Sequence, residues 1–157
     1  MGIIKTIGNE LFGTNKKCEV KGLGIFTGKF CNWWRNEDVT WGGTVRLPLY
    51  PQETFVLMDG DTTAPFPQQV QDLQALLHDW NIVIARLDSM LPNEIRFAHK
   101  EEIYASWHDT FYPENISPVG HGDGWEIAFA RTDELKDYFV FNWHNGTVRE
   151  LNLGVSA

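Results

Sequence analysis

The sequence predicts an α+β domain: a largely antiparallel sheet, made of an N-terminal β-meander and a C-terminal hairpin, with one long and one shorter helix packed on one face. Three observations carry the prediction. Short apolar and β-branched runs punctuated by Gly and Asn fill the chain as far as Gly60, apolar residues then recur at steps of three and four from Val70 to Leu91, and Asn145-Gly146 separates two runs of alternating polarity.

The elements follow in order. Cys18 to Lys21, Ile25 to Phe30, Val39 to Leu49 and Glu53 to Met58 read as strands, with Gly22 and Gly24 at the first turn. Gly42-Gly43 inside the third strand points to a bulge or bend there. Val70, Leu73, Leu76, Leu77, Trp80, Ile84, Leu87 and Leu91 form one apolar stripe on a helix from about Pro67 to Met90, roughly 36 Å long at 1.5 Å per residue. Proline suits the start of such a helix, and Pro92 ends it. Ile103, Trp107 and Phe111, at i, i+4 and i+8, indicate the second helix, and Glu114 to Gly124 reads as a glycine-rich loop. Trp125, Ile127 and Phe129 alternate with Glu126, Ala128 and Ala130 as in a half-buried strand. Tyr138 to His144 and Thr147 to Leu153 flank Asn145-Gly146, the pair that a type I′ hairpin turn prefers because both positions need positive φ. With 157 residues and no repeat or linker, a single domain over 1–157 accounts for the chain.

Charge narrows the partners. Thirteen Lys and Arg against 21 Asp and Glu give a net charge of −8, which repels a phosphate backbone and an anionic lipid surface, so neither nucleic acid nor membrane is an expected partner. No apolar run approaches the ~20 residues of a membrane span, and the first residues lack a secretory pattern, so the expected location is cytoplasmic. The start Met1-Gly2-Ile3-Ile4-Lys5-Thr6 also fits the short N-myristoylation pattern. Cys18 and Cys31, the only cysteines, read as two thiols in a reducing compartment.

Phe55 to Thr63 is an apolar strand followed by Asp59-Gly60-Asp61-Thr62-Thr63, which resembles the first motif of haloacid-dehalogenase-type phosphatases. The resemblance implies Asp59 as nucleophile, Asp61 as general acid/base and a Mg²⁺ ion to hold the phosphate. That family's fold is a doubly wound parallel sheet, whereas four strands precede the motif here, and a polar strand-to-helix turn explains the same residues. The five histidines lack the spacing that places two metal ligands on one helix face, so neither a metal nor a cofactor is expected. His108-Asp109 and His121-Gly122-Asp123 pair imidazole with acid but lack a recognisable nucleophile. His121 and Asp123 are binding candidates because flexible glycines surround them. Trp33-Trp34-Arg35 cannot place both rings on one side of a strand, which makes this edge a candidate interface.

The span Phe26 to Leu49 with its Trp41-Gly42-Gly43-Thr44-Val45 centre, the long helix and Asp123-Gly124-Trp125-Glu126-Ile127 together resemble small bacterial domains of uncharacterised function found beside polymorphic or contact-dependent toxin systems, some of them immunity proteins. Together with the acidic charge and the absence of a complete catalytic set, the resemblance points to a non-enzymatic binding protein that neutralises a toxin through an acidic or aromatic surface, its partner a basic toxin domain; the candidate binding residues read above are Trp33, Trp34, Arg35, Asp59, Asp61, His121 and Asp123. The alternatives are a metal-dependent phosphatase-like hydrolase using Asp59 and Asp61, and a homo-oligomeric interaction protein joined through the Trp33-Trp34 edge.

Overall fold

A computed structural model describes residues 14–30, 39–94, 101–120, 122, 124–133 and 137–154. Trp33, Trp34, Arg35, Cys31, His121 and Asp123 lie outside the described residues, as does the myristoylation pattern.

The expected α+β arrangement is corrected by a mixed, sheet-rich architecture. Eight strands form one sheet in sequence order: β1 (Thr14–Val20), β2 (Gly24–Phe30), β3 (Val39–Arg46), β4 (Glu53–Gly60), β5 (Phe111–Pro118), β6 (Trp125–Arg131), β7 (Tyr138–His144) and β8 (Thr147–Gly154). All neighbours are antiparallel except β4 and β5, which run parallel with Phe55 beside Asn115 and Val56 beside Ile116. A parallel pair needs a crossover, and the helices supply it.

The strand the sequence reading missed is β5. Phe111, Pro113 and Ile116 are buried, but a register shift between Pro113 and Asn115 breaks their alternation, and prolines occupy both the third and the last position. Bulge and prolines together disguise a strand as a loop. The i, i+4, i+8 series that pointed to a second helix ends on the first residue of that strand. In its place stand two one-turn helices, α3 (Glu101–Ala105) and α4 (Trp107–Thr110), with Ser106 between them.

The expected long helix is two helices, α1 (Pro67–His78) and α2 (Trp80–Met90). Asp79, at φ −92° and ψ 18°, interrupts the helical path. The apolar stripe continues across the break, because Leu73, Leu76, Trp80, Val83, Ile84 and Leu87 are all buried. Trp80 stacks on Phe129 of β6, with ring centroids 6.2 Å apart. Periodicity records which face is buried and is blind to one residue that leaves the helical region, which is why the break was not foreseen.

At Gly42-Gly43, where a bulge or bend is expected, β3 pairs β4 without a register shift from Val39–Gly60 to Arg46–Glu53. The glycines instead make room for rings. A Cβ on Gly43 would meet Phe26 at 2.8 Å, and one on Gly28 would meet Trp41 at 2.9 Å. Each ring lies over the bare backbone of the neighbouring strand.

Asn145 and Gly146, at φ 47° and 76°, join β7 to β8 with the left-handed backbone a two-residue hairpin needs. Five tryptophans, 41, 80, 107, 125 and 143, belong to one core shared by sheet and helices. Among the described residues no helix is long and apolar enough to cross a membrane.

Candidate functional site

Where α1 meets α2, the start of β6 and the β7–β8 hairpin leave a cleft of about 530 Å³. Its helical wall carries Gln69, Asp72, Leu76 and Asp79, and its sheet wall carries Trp125 and Trp143. The helical residues follow steps of three, four and three, one face of a helix. The two tryptophans are directly opposed across β6 and β7 and almost wholly buried, so they present an apolar floor. Gly122 and Gly124 complete the rim on the glycine-rich loop. Gly124 cannot be replaced simply: at φ 109° its Cβ would sit 2.2 Å from the carbonyl oxygen of Trp143. His144 and Asn145 close the hairpin side, the Asn145 Nδ2 lying 2.9 Å from His144 Nε2.

Asp72 and Asp79 are the only Asp, Glu, Lys or Arg side chains among the described residues of the wall. Asp72 accepts one hydrogen bond, from Gln68 Nε2 at 2.8 Å. Asp79 stands at the N-cap of α2, the position where an aspartate normally accepts a backbone N–H, yet its side chain makes no such bond. Both carboxylates are exposed and offer unused acceptor sites to the cleft.

The aspartates the sequence singled out are placed differently. Asp59 ends near the base of α1 in a reciprocal clamp: its backbone N–H donates to Gln69 Oε1 at 2.6 Å, and Gln69 Nε2 donates to Asp59 Oδ2 at 3.0 Å. Gln69 is on the cleft wall; Asp59 and Asp61 are not. Asp61 organises its own turn. Its Oδ1 accepts the Thr63 hydroxyl, the Thr63 N–H at 2.6 Å and the Ala64 N–H at 3.1 Å. Those bonds, led by the Thr63 hydroxyl, hold the Asp61 carboxyl below its ordinary range. Its backbone carbonyl in turn accepts the Trp41 indole N–H at 3.0 Å, tying the turn to the core. Among the described residues no three His, Cys, Asp or Glu side chains gather in a way that could hold a metal ion.

His108 is paired with Asp88 of α2 rather than with its neighbour Asp109. Asp88 Oδ1 lies 2.6 Å from His108 Nε2 and accepts the Trp107 indole N–H at 3.0 Å, so one oxygen ties α4 to α2. Burial first, and then the Asp88 charge, push the Tyr50 phenol up to about 12. The geometry of this pair is that of a structural tie.

Sequence reasoning found the glycine-rich loop that borders the cleft but passed over Asp72 and Asp79 as solvated helix surface. The available signal was a second stripe, Gln69, Asp72, Leu76 and Asp79, which repeats at helical spacing beside the apolar one. The tryptophans gave no signal, since burial alone explains them. No protein-family model, curated protein or solved structure matches the chain.

Proposed function

We propose that the protein is a non-enzymatic, cytoplasmic binding protein of the immunity or inhibitor type, which neutralises a basic toxin domain by seating part of it in the α1–α2 cleft. The observation that supports this reading is the cleft itself: an apolar tryptophan floor with Asp72 and Asp79 on its rim, and no Lys or Arg among its described wall residues. A net charge of −8 adds long-range attraction for a basic partner, raising the encounter rate and discriminating against acidic ones. The phosphatase-like alternative needs Asp59 and Asp61 to face one metal-bound phosphate. Asp61 gives three hydrogen bonds' worth of one carboxylate oxygen to its own turn, and Asp59 is clamped by Gln69, which favours the binding reading.

The test is capture of a partner from the source cell with the tagged full chain, followed by co-expression with the captured protein's gene. The expected result is a basic partner whose toxicity the protein suppresses. Suppression should be lost when Asp72 and Asp79 are both changed to Asn. Absence of any protection, or protection unchanged in that variant, removes the reading.

A further inference from the structure

We infer that the cleft receives the cationic end of an arginine or lysine side chain presented by a partner polypeptide, an assignment that rests on the binding reading above and specifies what is bound. The cavity of about 530 Å³ lies within the range of roughly 300–1,000 Å³ typical of ligand sites and exceeds what one water cluster or ion requires. It is also open at a rim made of a helix break, a loop and a hairpin tip, so a side chain can enter while its backbone stays outside.

The lining selects the chemistry. Trp125 and Trp143 are almost wholly buried, and the small part of them that the cleft exposes is apolar surface on which the aliphatic stem of Arg or Lys can lie. Asp72 and Asp79 supply the counter-charge. Their separation of seven residues is two helical turns, close to 10 Å along a straight axis, so one side chain reaches between them rather than being chelated by both.

Two structural explanations for these acids fail. Asp79 makes no side-chain cap bond for α2, and Asp72 is engaged only by Gln68 on its own helix. Nor do helix dipoles decide the sign of the ligand. The negative end of α1 and the positive end of α2 meet at Asp79 and offset one another, leaving the carboxylates to determine that a cation enters. An anionic ligand would face both acids with no compensating Lys or Arg on the described wall.

The experiment titrates the purified full chain with three blocked tripeptides that differ only in the central residue, Arg, Lys or the neutral citrulline, and with spermidine, following heat by calorimetry. The expected result is saturable binding of the Arg or Lys peptide that weakens with salt, with no heat from citrulline. The double variant Asp72→Asn/Asp79→Asn should bind about tenfold more weakly while its unfolding midpoint stays unchanged. Binding of citrulline equal to Arg, binding unaffected in the double variant, or no binding of any peptide at millimolar concentration would each overturn the assignment. Tighter binding of spermidine than of either peptide overturns the partner-chain source in favour of a free amine. If peptide binding holds but no toxin is neutralised in cells, the immunity reading falls and the cation site stands.

Discussion

Among the buried rings, Phe26 and Trp41 of β1–β4 lie on bare backbone, whereas those of β5–β8 lie on one another; the exposed Tyr138 ring, over Gly154, stands outside this contrast. Trp41 covers Gly28 and Phe26 covers Gly43, each ring occupying the space a Cβ would fill on the next strand. Across the β4–β5 seam the pattern of the buried rings reverses. Phe129 stacks on Phe139 at 4.7 Å, meets Trp107 edge-on at 5.7 Å and lies under Trp80 at 6.2 Å, while Phe111 meets Phe139 at 5.1 Å. The comparison teaches where each half is vulnerable. One half depends on the smallest residue in it and the other on a central ring.

The largest effect should come from Phe129→Ala. This side chain is fully buried at the centre of the ring cluster, and its removal should cost about 3–5 kcal/mol, read from urea unfolding. Phe129→Leu, which keeps most of the volume, should fold with a smaller loss; a cost of Phe129→Ala below about 1 kcal/mol would break the comparison.

Gly28→Ala should follow, at about 1–3 kcal/mol, because the new methyl group must displace the Trp41 ring from a fully buried site. The mechanism has its own check. In a Trp41→Leu background the same change should cost clearly less, a coupling that a double-mutant cycle measures. Additive costs would mean that the glycine serves backbone flexibility instead.

The smallest effect is on alkaline stability and belongs to the ring-on-ring half. Tyr50 meets Phe129 edge-on at 6.3 Å and Tyr104 stacks on Phe111 at 5.6 Å, and burial raises both phenols from 10.0 to about 12. In the unfolded chain these groups ionise near the ordinary tyrosine value, so the folded state holds the extra protons between the two values. Their contribution is therefore fully present below pH 10 and is lost as pH rises through about 12. Tyrosinate absorbance during a pH titration should show Tyr50 and Tyr104 among the late-titrating phenols, with Tyr112 also raised by burial, and Tyr50→Phe should remove one of the late-titrating groups. Titration of all four tyrosines together near their ordinary value would contradict the burial of these rings.

What could be read from the chain depended on how local each signal is. Asn145-Gly146 was legible because two left-handed residues constrain the backbone without help from elsewhere. The stripe from Leu73 to Leu87 was legible as a buried face, although not as two helices. β5 was illegible for a physical reason: its parallel partner is contributed by Val56, sixty residues earlier, and its own bulge and prolines erase the alternation that would announce it. The site followed the same rule. Asp61 stood out by motif and proves to be occupied by its own turn, while Asp72 and Asp79 looked like ordinary helix surface until the folded sheet placed Trp125 and Trp143 opposite them.

The sequence by itself determined the acidic charge, the positions of most strands, the buried stripe and the hairpin turn, because each is set by composition or by neighbours within one or two turns of chain. Only the tertiary structure decided that the sheet is mixed, that α1 ends at Asp79, and that a helix face, a glycine loop and a hairpin tip enclose one acidic cleft. These depend on contacts between residues far apart in the chain, whose free energy appears only once the intervening segments have folded.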